Sequence, residues 1–225
     1  MKTILVLISV LTIFLFFQPL AAREKVAIPE YTVEGLKLIP DTKDVALVWA
    51  DPDADLSQYE RFNLLEPYIA FKKNWQRDQN RSSSMKVRTS DMERIKDRTK
   101  TLFMEVFTEE LEQGGYFLTS ERTHDVLIVR PAIIDLNVNA PDVRSSGRVE
   151  TYTQSAGSMT LYLELYDAET NDLLAKVLDP KADRQSGFMQ WQTGPANLAA
   201  GKRMMKPWAQ ALRSGLDEAR DATHR

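Results

Sequence analysis

Between Ser158 and Asp179 the chain reads SMTLYLELYDAETNDLLAKVLD, and Met159, Leu161, Leu163 and Leu165 alternate with Thr160, Tyr162, Glu164 and Tyr166. Successive side chains of an extended segment point to opposite sides, so this spacing predicts a strand with one wholly apolar face. The polar run Asp167 to Asp172 predicts a turn. Leu173, Ala175 and Val177 then alternate with Leu174, Lys176 and Leu178, which predicts the second strand of an antiparallel hairpin. Val45 to Trp49 and Arg61 to Phe71 are further candidate strands, the latter set at an edge or bulge by Pro67. Val126 to Val138, VLIVRPAIIDLNV, is the longest apolar β-type run, and Pro131 in its middle removes a ladder donor. That strand is expected at an edge, or bulged. Tyr116 to Thr119 reads as extended, and Arg148 to Ala156, bracketed by Gly147 and Gly157, as another strand.

Two stretches carry a helical period. Met92, Ile95, Leu102, Phe103, Val106, Phe107 and Leu111 mostly follow one stripe, with Thr89, Ser90 and Asp91 as cap candidates and Gly114-Gly115 as the stop. Met205, Trp208, Leu212, Leu216 and Ala219 form a second stripe on a helix from Asn197 to about Asp221, with Pro207 expected to kink or restart it. The fold class is therefore α+β: an antiparallel sheet of four to six strands with two long helices packed on one face. On the first helix the basic residues come early and Glu105, Glu109, Glu110 and Glu112 come late. Carboxylates near a helix C-terminus oppose its dipole by roughly 0.3–1 kcal/mol each, so an offsetting cation is expected from Lys202, Arg203, Lys206 or Arg213.

The first residues change the picture of where this domain works. Lys2, an apolar run from Thr3 to Phe17 and small residues ending at Ala22 have the form of a secretory signal peptide. The apolar run is short of the roughly 20 residues that span a bilayer, so cleavage after Ala22 is expected rather than retention as an anchor. The expected organisation is a signal peptide over 1–22, an extended arm over 23–44 and a single domain over 45–225. With Lys2 lost, the net charge moves from −3 to −4. The sequence has no cysteine, which rules out disulfides, thiolate metal sites, a cysteine nucleophile and lipid attachment through cysteine. A periplasmic or secreted protein without a transmembrane helix is the expectation.

Charge is unevenly spread. Lys72 to Lys100 holds ten basic and four acidic residues in an otherwise acidic chain. Such a segment is either a solvated loop and helix face or a local positive field for an anionic envelope component or an acidic protein surface. Lys72, Lys73, Trp75, Arg77 and Arg81 are the candidate contact residues, Trp75 because a tryptophan among cations suits an interface. Nucleic acid is not expected, since the segment has no recognition motif. Other motifs are fragments. Asp51, Asp53 and Asp55 match the start of a calcium loop, but Leu56 and Phe62 stand where Gly and Glu belong, so no metal is expected. Ser83-Ser84-Met85-Lys86 matches S-x-x-K without its companion elements. Trp191 with Met204 and Met205 suggests either a ligand cleft or core. Histidine occurs twice, and only His124, near Ser120 and Asp125, is placed for acid–base work. Asp135, on an apolar strand, is a candidate buried carboxylate. No cofactor is expected.

VWADPDADLSQY, DVLIVRPAIIDL, the NAPD after it and LELYDAETNDLLAK together resemble a family of exported proteobacterial proteins, catalogued as a domain of unknown function and described as lipoprotein-like. The resemblance spans roughly Val45 to Leu216. It departs from the family at Asn171-Asp172, where Gly-Glu is usual, and in lacking the lipid-attachment cysteine. It implies an envelope location and carries no catalytic residues. The expected function is a non-catalytic periplasmic, envelope-associated binding or accessory protein acting through the basic segment. The alternative is an enzyme on a cell-wall or glycan substrate using carboxylates or His124.

Overall fold

The computed structural model describes residues 27–82, 86–139, 151–153, 157–183, 190–192 and 194–223. The expected signal peptide and residues 83–85 of the S-x-x-K match lie outside them. In chain order the elements are β1 (Lys37–Leu38), β2 (Leu47–Ala50), a 3-10 turn (Leu56–Gln58), β3 (Arg61–Leu64), β4 (Tyr68–Phe71), α1 (Trp75–Ser82), α2 (Thr89–Gln113), β5 (Phe117–Leu118), β6 (Val126–Val138), β7 (Thr151–Thr153), β8 (Gly157–Asp167), β9 (Leu173–Ala182), β10 (Gln190–Gln192) and α3 (Gly194–Thr223).

One sheet runs β1-β2-β9-β8-β6-β3-β5, with β4 also paired to β6, and β7 pairs β10 separately. The expected antiparallel sheet of four to six strands is thus corrected to an eight-stranded mixed sheet, and α1 is a third helix. Its source is the Arg61–Phe71 segment, which splits at Leu65-Glu66-Pro67 into β3 and β4. Both lie end to end along one side of β6. The chain passes through α1 and α2 before it reaches β6, and a crossover of that length returns the next strand parallel to the first. The β1–β2–β9–β8–β6 half is antiparallel throughout. Part of the expected arm also enters the sheet, as β1.

Pro131 sits neither at a sheet edge nor in a bulge. Leu65 N–H donates to the Val129 carbonyl at 3.0 Å, so the backbone groups of position 129, and of position 131 two residues on, face the β3/β4 side. There β3 has ended at Val129 and β4 begins at Ala132, and the missing N–H falls in the gap. The bulge lies further on, between Ile134 and Asn137, where Asp135 adopts φ 52°. Asp135 is consequently exposed, not the buried carboxylate expected from its apolar neighbours. Across from it Gly157 has φ 147°, and a Cβ there would stand 1.9 Å from the Asn137 carbonyl oxygen, so only glycine closes this end of the β6–β8 pair.

The alternation in β8 holds over its length: Met159, Leu161, Leu163 and Leu165 are buried beneath α2 and α3. In β9 a bulge opposite Leu165 and Tyr166 breaks it, so Leu173 pairs Tyr166 while Leu174 joins the core with Ala175. At the turn Asp167 accepts from the Glu169 and Thr170 N–H groups at 2.8 and 2.7 Å and from the Tyr59 hydroxyl at 2.8 Å. Asn171 takes φ 62°, a conformation Asn tolerates. On α2, Leu102, Phe103, Val106, Phe107 and Leu111 are buried, and Phe103 and Phe107 stack at 4.0 Å. Asp91 accepts from the Arg88 N–H at its start, and Gly115 at φ 81° ends it in a Schellman turn, with Gly115 N–H to Glu112 and Tyr116 N–H to Leu111. The late carboxylates meet the expected cations of α3: Arg213 donates to Glu110 at 2.9 Å, and Lys202 lies 3.3 Å from Glu109 and 3.6 Å from Glu105. Pro207 does not restart the helix: α3 continues through it, and Trp208 beside it donates to buried Asp179 at 2.6 Å.

Candidate functional site

Four of the basic residues lie on α1 or in the segment leading into it. Asn74, at φ 64°, turns the chain from β4 into the helix, and Trp75 N–H caps the Lys72 carbonyl. Trp75 itself is 3% exposed. Its ring stacks on Phe71 at 4.3 Å and its Nε1 donates to the Val138 carbonyl at 3.2 Å. Trp75 therefore leaves the set of partner-contacting residues and becomes the anchor that fixes α1 against β4 and β6. Gln79 donates to the same carbonyl, and Asn80 exchanges two hydrogen bonds with the Val87 backbone at 2.6 and 3.1 Å, tying α1 to the segment before α2. Lys72, Lys73, Arg77 and Arg81 all point to solvent. Arg77 is held along the helix by Asp78 at 2.9 Å, while Lys72, Lys73 and Arg81 make no ion pair among the described residues. The result is four exposed cations on a firmly anchored element, Lys72 and Lys73 in the segment leading into α1 and Arg77 and Arg81 on the helix itself. The helix itself escapes sequence reading because Trp75 is its single large apolar residue, and one apolar position has no period.

A second polar cluster occupies the open face of the sheet. Register aligns Arg130, Glu164 and Lys176 across β6, β8 and β9, with Trp49 of β2 next in the row. Glu164 accepts from the hydroxyls of Tyr162 and Tyr166 at 2.5 and 2.8 Å and lies 3.5 Å from Arg130 and 3.9 Å from Lys176. Lys176 also pairs with Glu34 at 2.6 Å, and this ammonium, first of the causes, brings the Glu34 carboxyl down to about 2. Burial, then the hydrogen bond to Glu164, raises the Tyr162 and Tyr166 hydroxyls. Two hydroxyls and two cations thus converge on one carboxylate, an arrangement that stitches strands together. Sequence reading passed over it because its members are adjacent only through strand register.

The remaining candidates resolve into structural roles or stand apart. Asp51 and Asp55 accept from the Asp53 and Ser57 N–H groups at 3.0 and 2.9 Å, as turn and cap residues. Among the described residues, no three His, Asp or Glu side chains stand together as a metal site. His124 and Ser120 are both exposed and share no hydrogen bond among the described residues, so the structure does not assemble them. The adjacent Asp125 is committed to Arg61 by two bonds of 2.6 and 2.8 Å, and the guanidinium holds its carboxyl well below the usual range. Met204 and Met205 are buried core, and the Trp191 side chain lies outside the described residues. No helix among the described residues is long and apolar enough to cross a membrane.

These features define an α+β domain with two long helices on one face of a mixed sheet. The chain belongs to the family described as protein of unknown function (DUF3313), whose family model matches residues 34–212. No curated protein matches the chain in sequence. Among solved structures it is similar to the PelC dodecamer from Paraburkholderia phytofirmans, with 8% identity over 73% of this chain and 96% of that one and a TM-score of 0.37. It is also similar to protein XCC0632 from Xanthomonas campestris, of family DUF330, with 13% identity, 78% and 94% coverage and a TM-score of 0.37. A DUF4136 family protein from Bacteroides thetaiotaomicron follows, with 10% identity, 75% and 94% coverage and a TM-score of 0.33.

Proposed function

We propose that this protein is a non-catalytic, exported, envelope-associated binding protein that docks on an anionic envelope surface through Lys72, Lys73, Arg77 and Arg81. The observation that carries this is the division of labour in α1 and the segment leading into it: Trp75 is buried and fixes the helix, and Lys72, Lys73, Arg77 and Arg81 are left in solvent. A backbone already fixed by Trp75 has little main-chain freedom to lose on docking, and the four cations it carries concentrate a positive field in an acidic protein. The leader-like first residues support an envelope location. Co-sedimentation with phosphatidylglycerol vesicles, against phosphatidylcholine vesicles, tests the proposal. Binding is expected at about 20 mM salt, weaker at about 200 mM because screening shortens the reach of exposed charges, and absent after charge reversal of Lys72, Lys73 and Arg77. Capture that ignores both salt and the reversal refutes it.

A further inference from the structure

The sheet is wider than its roof. Seven strand positions at about 4.8 Å make a sheet about 29 Å across, whereas two helices packed about 10 Å apart cover about 20 Å. α2 lies toward β4 and β5, so the uncovered strip falls at the opposite edge. There Val48 and Val177 point to the core side yet are only half-buried, and a cleft of about 440 Å³ opens between β2, β9 and the second half of α3. Its floor is formed by Val48 of β2 and Val177 of β9, with the buried leucine row of β8 behind them. On α3 it is flanked by Ala211, Ser214 and Gly215, and a Cβ added at Gly215 would meet nothing within 4 Å. At its mouth, in the loop from β1 to β2 and on α3, Asp41, Asp44 and Glu218 outnumber Lys43.

We infer that this cleft holds the alkyl chain of a single-chain amphiphile whose head group is neutral or cationic. The cleft shares no lining residue with the docking surface at α1. The floor and walls are dominated by aliphatic side chains, so what they favour is removal of apolar surface from water. The strip left open is about the width of one or two strand spacings, which admits one extended chain lying along the half-buried Val48 of β2 and Val177 of β9. Three carboxylates against one ammonium at the rim disfavour a sulfate, carboxylate or phosphate head and favour an ammonium or an uncharged sugar.

The test is calorimetric titration of the purified protein with alkyl trimethylammonium, alkyl maltoside and alkyl sulfate of eight, ten and twelve carbons, each below its micellar concentration. Affinity is expected to rise up to about fourfold per methylene, with the sulfate weakest at every length. Gly215→Leu fills the open space and replaces a helical glycine by a better helix former, so it is expected to keep the fold, read by circular dichroism, while weakening decyl maltoside at least tenfold. Asp41→Lys with Glu218→Lys is expected to reverse the preference between ammonium and sulfate. Charge reversal of Lys72, Lys73 and Arg77 is expected to leave maltoside binding unchanged, which separates this site from the docking surface. Affinity independent of chain length, or unaltered by Gly215→Leu, overturns the inference. So does a self-associated protein that binds no probe and that Gly215→Leu dissociates, since the cleft would then be an interface between copies.

Discussion

Leu163 and Glu164 are neighbours in β8, yet they answer to different physics. Leu163 faces the helices, 2% exposed, in a layer where any well-shaped aliphatic group contributes in proportion to the area it removes from water. Glu164 faces away, with its side chain 13% exposed, and its value depends on Arg130 of β6 and Lys176 of β9 arriving at the same level. One face of the sheet is held by burial, which tolerates approximation. The other is held by register, which does not. The buried side therefore carries the stability of the domain, and the open side carries alignment of the strands.

The sharpest way to break this contrast is Leu163→Ala. A buried leucine lost from a packed layer costs the transfer of its methyl groups plus the cavity left behind, so a loss of about 3–4 kcal/mol is expected in urea denaturation. A loss under about 1 kcal/mol would mean that the covered face is not what holds the domain together. An intermediate effect is expected at Asp167, where β8 ends. Burial opposes its charge, but the Thr170 N–H, the Tyr59 hydroxyl and the Glu169 N–H together draw its pKa below the ordinary carboxylate value. A carboxyl depressed in the folded state binds its proton more readily when unfolded. Its contribution is thus complete above the unfolded value of about 3.9 and is lost as pH falls through the lower folded value. Urea midpoints measured from pH 6 to pH 2 should fall along this limb, and Asp167→Asn should make the fall shallower. An unchanged limb would place the acid sensitivity elsewhere. The smallest effect belongs to the open face: Glu164→Gln keeps the shape, Arg130 opposite it is largely in solvent and Lys176 keeps Glu34 as a partner, so a loss of about 1 kcal/mol is expected, less at high salt. A salt-independent loss as large as that of Leu163→Ala would erase the distinction between the faces.

Local pattern made much of this legible. The β8–β9 hairpin, α2 and α3, the apolar stripes that face the sheet, and the cations waiting for Glu109 and Glu110 all follow from spacings within one segment, or from an electrostatic mismatch inside one helix. The basic residues of α1 were visible as charge, but the role of Trp75 was not, because composition does not say whether an indole lies above a surface or against Phe71. Asp135 misled in the opposite direction: its apolar neighbours belong to the strand, while the residue itself is turned outward by a bulge.

By itself, the sequence determined where β6, β8, β9, α2 and α3 form and which side of β8, α2 and α3 is oily, because periods of two and of about 3.6 residues are properties of contiguous chain. Tertiary structure alone decided that β3 and β4 share one flank of β6, that Pro131 falls between them, that Glu164 gathers two tyrosines and two cations, and that two helices leave one strip of an eight-stranded sheet open. Each of those outcomes depends on residues far apart in sequence being brought side by side. Pairing register and layer width set that proximity, and neither is encoded in any single stretch.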